Sequence, residues 1–223
     1  ELQYLLEPAV LDERTVPQAG LSQPLFQHLL PHHLRLLPLL LPQPTRAKPP
    51  SQEPGGHPSD QQADAERRGL HIVQQELKEE GFDVDLLKEN DERLEGYRAL
   101  ALVSVHADSC VFYNLEATGF KVAAALATAR PDKANRLVSC IYSRYSEITK
   151  LPYHASVTDD MSNYHAFGEI HSDTAAVIIE TGFLNLDRQI LTQQPGLIAD
   201  GIANGGLWYI RNEDASAVNE GLP

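Results

Sequence analysis

Two apolar runs constrain this chain more than anything else in it. Ala101-Leu-Val-Ser-Val-His-Ala-Asp-Ser109 closes on His106, and Ala175-Ala-Val-Ile-Ile-Glu-Thr-Gly-Phe183 closes on Glu180. Short apolar runs without alternation are the mark of strands buried on both faces, and such strands need covering layers on either side. Each run delivers one polar side chain near its carboxyl end, where open α/β sheets build their sites. A glutamate after five apolar residues is costly to bury unless it is paired or used. A histidine and a glutamate held together there suit a zinc hydrolase, with an imidazole ligand and a carboxylate general base.

The rest of the chain divides near residue 60. Eleven of the fifteen prolines fall in residues 1–60. Proline lacks a backbone donor and resists both helix and sheet. Residues 1–60 therefore read as a mostly irregular segment, with short helical pieces around Glu1–Leu6 and Phe26–Leu37, and a linker-like tract from Leu41 to Gly56. Residues 61–213 read as the folded domain and 214–223 as a tail. Within the domain, residues 64–80 have helical spacing, with Leu70, Val73 and Leu77 on one face and Gly81 as the stop. Residues 82–87 alternate as a strand, 99–106 form the His106 strand, and 119–124 form another. Pro131–Lys150 is the clearest amphipathic helix, with Ala134, Leu137, Val138, Ile141, Tyr145 and Ile148 on its inner face. Residues 175–181 form the Glu180 strand. A last helix starts at Pro195, turns Leu197, Ile198 and Ile202 inward, and is expected to weaken at Gly205-Gly206 before Leu207–Ile210. Strands alternating with helices indicate an α/β layered domain.

Composition narrows the partners. An apolar fraction of 42% and a charged fraction of 22% are those of a globular domain. A net charge of -13 argues against a nucleic-acid backbone, and against an anionic membrane surface. No stretch approaches the roughly 20 apolar residues of a membrane span; the Leu25–Leu41 run is broken by Pro31 and Pro38 and carries four basic or histidine side chains. No signal peptide is visible in this chain. Cys110 and Cys140 are too few for a disulfide framework; Cys110 lies just past the His106 strand, where it could line the site, but it reads rather as a small buried residue.

Both apolar runs resemble one family, the zinc-dependent N-acetylmuramoyl-L-alanine amidases of the bacterial cell wall. The resemblance lies in Ser104-Val-His106-Ala107 and in Glu180-Thr-Gly-Phe-Leu-Asn185, followed by Asp187-Arg188, and it covers roughly residues 70–212. It implies a single α/β domain with a mixed, largely parallel sheet and helices on both faces, of the amidase, phosphorylase/hydrolase-like type. It implies hydrolysis of the N-acetylmuramoyl–L-alanine amide of peptidoglycan or a muropeptide, with one zinc ion, His106 as a metal ligand and Glu180 as the catalytic base. The family setting is periplasmic or extracellular.

Two further ligands are required. His57, in Gly55-Gly-His57-Pro58, is the only Gly-His before the first helix, but the tract before it is not a strand; a linker histidine is the competing reading. For the carboxylate ligand, alignment on Gly81 places Gln62 at the family position, and Glu66, one turn on, is the nearest acid; a solvated helix-end charge competes with it. Tyr164 and His165, in the segment 159–169, are candidates for touching substrate, against a plain packed loop. His154 and His171 read as solvated, and His28, His32 and His33 as part of a Leu/His-rich tail. The alternative to an enzyme is a degenerate, non-catalytic relative that binds wall fragments or a partner and lacks a complete zinc site.

Overall fold

The computed structural model describes residues 2–8 and 58–213, which belong to one compact unit. Five strands carry the fold: β1 (Leu2–Pro8), β2 (Phe82–Lys88), β3 (Ala101–Asp108), β4 (Lys121–Ala124) and β5 (Ala175–Phe183). Six helices accompany them: α1 (Pro58–Glu79), α2 (Pro131–Thr149), α3 (Asp159–Ser162), α4 (Ala166–Glu169), α5 (Arg188–Gln193) and α6 (Pro195–Ile210).

The sheet order is β2-β1-β3-β5-β4. It is mixed, as expected, but its parallel part is smaller than expected. β2, β3 and β5 run in one direction, yet only β3 and β5 are neighbours; β1 pairs antiparallel with both β2 and β3, and β4 antiparallel with β5. The reason is connectivity. The loop after β3 stays at the edge where β3 ends, so β4 starts there and must run back.

The strand at Leu2–Pro8 replaces the helical piece expected around Glu1–Leu6. Seven residues are too few to hold a helix alone, whereas here the segment finds pairing partners on both sides. The expectations for residues 9–57 and 214–223 lie outside the described residues.

Alternation along the strands sorts the core into two layers. On one face Val103, Val105, Val177, Ile179 and Val122 meet Leu70, Val73 and Leu77 of α1, Leu137, Ile141 and Tyr145 of α2, and Ile198 and Ile202 of α6. On the other, Leu102, Ala123, Ala176 and Ile178 meet Leu94, Met161, Phe167 and Ile170. The long helices thus cover one face and the one-turn helices α3 and α4 the other. His106 and Glu180 fall on the second face, with Leu102 and Ile178.

The glycines of α6 do not weaken it. The helix runs unbroken, and its glycines set how closely it meets α2. A Cβ at Gly205 would stand 2.7 Å from Ile141 Cα, and one at Gly201 would stand 2.8 Å from Tyr145 Cδ2. The missing side chains are what allow the two helices to touch.

Between α1 and α6 the contact is less comfortable. Glu76 faces Asp200. Burial first, then the hydrogen bond and repulsion from Asp200, raise the Glu76 carboxyl from its ordinary 4.5 to about 7. A carboxyl that holds its proton more tightly when folded stabilises the fold below its unfolded pKa and loses that contribution as pH rises through the folded one. Stability should therefore fall between pH 5 and pH 8. Glu76→Gln should flatten that slope and at pH 8 raise stability by about 1 kcal/mol, a figure kept small because the group is largely solvated, or roughly 2–4 °C in Tm. Calorimetric melting at the two pH values measures it.

Candidate active site

His106 and Glu180 are direct register partners across the parallel β3–β5 pair, so their side chains leave the sheet on the same face. The pairing shifts register between His106 and Asp108, which marks the end of regular strand geometry. Thr181 locks this point from both sides. Its Oγ1 donates to the His106 carbonyl at 2.8 Å, and its own carbonyl accepts from the buried Tyr145 hydroxyl at 2.7 Å.

The turn after Glu180 is held by Asp187, which is 6% exposed. Its carboxylate accepts from the Gly119 amide at 2.8 Å, from the Phe183 amide at 2.9 Å and from the Thr118 hydroxyl. Gly119 itself has φ +102, and a Cβ there would stand 2.1 Å from the Pro152 carbonyl oxygen. No other residue fits. Asp187 and Gly119 together fix where β4 enters beside β5.

Above His106 lies the segment 159–169. The Tyr164 ring meets the His106 ring edge-on, with centroids 4.9 Å apart. The His165 ring packs against Tyr164 at a tilt of 55°, with centroids 4.4 Å apart. Its Nδ1 stands 2.9 Å from Glu169 Oε1 and its Nε2 3.5 Å from Glu89 Oε1. Tyr164 and His165 are thus gathered with His106 and Glu180 at one place, although they lie far apart in sequence.

His106 is 7% exposed. Burial lowers its pKa to about 4, with the Glu89 carboxylate opposing the shift and His165 adding to it. At neutral pH the ring is uncharged, the form in which imidazole binds a metal or takes a proton.

Of the other proposed metal ligands, His57 lies outside the described residues. Glu66 lines an apolar pocket with Leu70, Val105, Leu191, Pro195 and Ile198. Val105 and His106 point to opposite faces of β3, so Glu66 approaches the sheet from the side away from His106. Among the described residues no group of three His, Cys, Asp or Glu side chains is arranged to hold a metal ion.

His154 packs its ring edge-on against Phe183 at 5.0 Å and bonds Ser156 rather than standing free in solvent. His171 sits with Arg98 and Asp173. Cys140 is buried, whereas Cys110 is exposed, because the loop after β3 leaves the sheet there; Val111, Phe112, Tyr113 and Leu115 of the same loop are exposed as well. The Leu/His-rich tail with His28, His32 and His33 lies outside the described residues.

Sequence reasoning missed Asp108 and Lys121, whose side chains form an ion pair at the site. A period of two from His106 reaches Asp108, and that was the available signal.

Several solved structures are similar to this chain, three of them as follows. An N-acetylmuramoyl-L-alanine amidase from Clostridium difficile 630 is 23% identical, with 52% of this chain and 60% of that one covered and a TM-score of 0.41. An N-acetylmuramoyl-L-alanine amidase of Nostoc punctiforme is 20% identical over 51% of this chain and 59% of its own, with a TM-score of 0.40. The catalytic domain of an endolysin targeting Clostridia difficile is 15% identical over 68% and 83%, with a TM-score of 0.44. The chain spans about 60% of the length of the first of these. No protein-family model matches the chain, and no curated protein matches it. The chemistry of the site has to come from this chain's own residues.

Asp187→Ala should cost roughly 3 kcal/mol, since it strands buried donors that a carboxylate now satisfies. Urea unfolding should show the loss, and Asp187→Asn should fall between the two. A midpoint unchanged by the alanine would mean that the turn is held elsewhere.

Proposed function

We propose that this chain hydrolyses the amide between N-acetylmuramic acid and L-alanine in peptidoglycan or its fragments. The observation that supports this most is the register of His106 with Glu180, at the carboxyl ends of adjacent parallel strands and on one face of the sheet. Each belongs to a motif that resembles the amidase family. Glu180 takes the proton from water as its oxygen attacks the amide carbonyl, and returns a proton to the departing amine as the carbon–nitrogen bond breaks. Tyr164 and His165 border the space above His106, where they meet the substrate. Zinc is the cofactor the motifs imply, one ion, with His106 as a ligand and His57 as a sequence candidate for another.

A second reading has its own support. Among the described residues no group of three His, Cys, Asp or Glu side chains is arranged to hold a metal ion, which suits a non-catalytic relative that binds wall fragments or a partner.

Metal content separates them. The enzyme should retain about one zinc per chain after loading and dialysis, and His106→Ala should lose it. A chain that stays metal-free while binding muropeptides belongs to the second reading.

The base has its own test. Glu180→Gln keeps the shape and removes the proton acceptor, so muropeptide release followed by chromatography should fall ~10²-fold or more with zinc content unchanged. Full release by the variant would remove Glu180 from the mechanism.

A further inference from the structure

β4 does not adjoin β3; β5 lies between them. Even so, Lys121 of β4 forms an ion pair with Asp108 of β3. Neighbouring strands stand about 4.8 Å apart, so the pair reaches across about 10 Å and passes over β5. The β5 residue in register with Lys121 is Glu180, which is also in register with His106. His106, Glu180 and Lys121 therefore make a row across three strands, on one face.

The burial of this lysine is unusual. β4 is an edge strand, where a lysine ordinarily faces water and blunts the edge. Lys121 is instead 7% exposed. A buried ammonium is costly unless its surroundings hold it well. Here they do. Asp108 presents one carboxylate oxygen to Lys121, while the other accepts from the Ser109 amide at 2.6 Å. The Phe183 ring lies 5.0 Å from the ammonium, with His154 packed against that ring. Lys121 is thus held by its surroundings in backbone register with the residue proposed as the base.

We propose that Lys121 is a positioning residue for Glu180. Anchored by Asp108 and Phe183, its side chain crosses β5 and, lying in cross-strand register with Glu180, orients the Glu180 carboxylate toward His106. The kinetic part of this inference rests on the amide-hydrolysis reading; its stability part does not.

The test uses the full chain with Lys121→Gln, Lys121→Arg, Glu180→Gln and the Lys121→Gln/Glu180→Gln double variant. For muropeptide release, Lys121→Gln should lower kcat at least ~10-fold and leave KM within about twofold, because a misplaced base costs turnover and not binding. Lys121→Arg should recover most of the rate, and Lys121→Gln should cost nothing further in the Glu180→Gln background. Independent, multiplying losses, or an arginine variant as slow as the glutamine one, would overturn the proposal. If the parent chain releases no muropeptide, the amide-hydrolysis reading fails by itself. The urea midpoints of the same four proteins then decide: non-additive shifts support the Lys121–Glu180 linkage, and additive shifts overturn it. Should Lys121→Gln fail to fold, Lys121→Gln/Asp108→Asn keeps a neutral hydrogen bond in place of the ion pair and serves as the starting variant.

Discussion

The parallel pairing of β3 with β5 is the constraint on which the rest of this structure depends. A parallel pair forms only when the chain travels away and returns to the same end, and here the route runs through β4, α2 and the one-turn helices α3 and α4. That journey places β4 on the far side of β5. It also lays the segment bearing Tyr164 and His165 over the face from which His106 and Glu180 project. A slip of one residue in this register would turn His106 into the packed layer of α1, α2 and α6 and bring Val105 into the cleft. Apolar packing on both faces therefore specifies the position of the chemistry.

Polar groups finish what the packing begins. Asp187 gathers the Phe183 and Gly119 amides, so the turn leaving β5 and the turn entering β4 are one hydrogen-bonded unit. Thr181 ties β5 to β3 through its hydroxyl and to α2 through its carbonyl. Both residues follow Glu180 in sequence, and their polar groups are taken up by these backbone contacts. The resemblance to the amidase motif around Glu180 thus mixes one residue of chemical interest with neighbours that hold a turn.

Much of this was legible in the sequence, for identifiable reasons. The runs ending at His106 and Glu180 are strands buried on both faces, and a continuous apolar stretch signals that directly. α2 announced itself through helical spacing and Pro131. Leu2–Pro8 carried no comparable signal. Its pairing partners lie some eighty residues or more further on, and its pattern of leucines suits a helix as readily as a strand. α3 and α4 are single turns, too short for any periodicity. Lys121 was hidden for a different reason. A lysine in a strand reads as a solvent-facing residue, and only the pairing across β5 shows that its partner is Asp108. The metal question was open in the sequence at Gln62 and Glu66, and the face from which Glu66 approaches keeps it separate from His106.

The close contact of α6 with α2 reaches further than helix packing. Gly201 leaves room for the Tyr145 ring, and the Tyr145 hydroxyl bonds the Thr181 carbonyl, the residue after Glu180. The ring works as a strut between a helix on one side of the sheet and the strand end that presents the carboxylate on the other. A methyl group added at Gly201 would press on that strut, and densely packed interiors transmit such a displacement instead of absorbing it. The position of the strand end that carries Glu180 is therefore set in part by the absence of an atom on a helix that lies across the sheet from it.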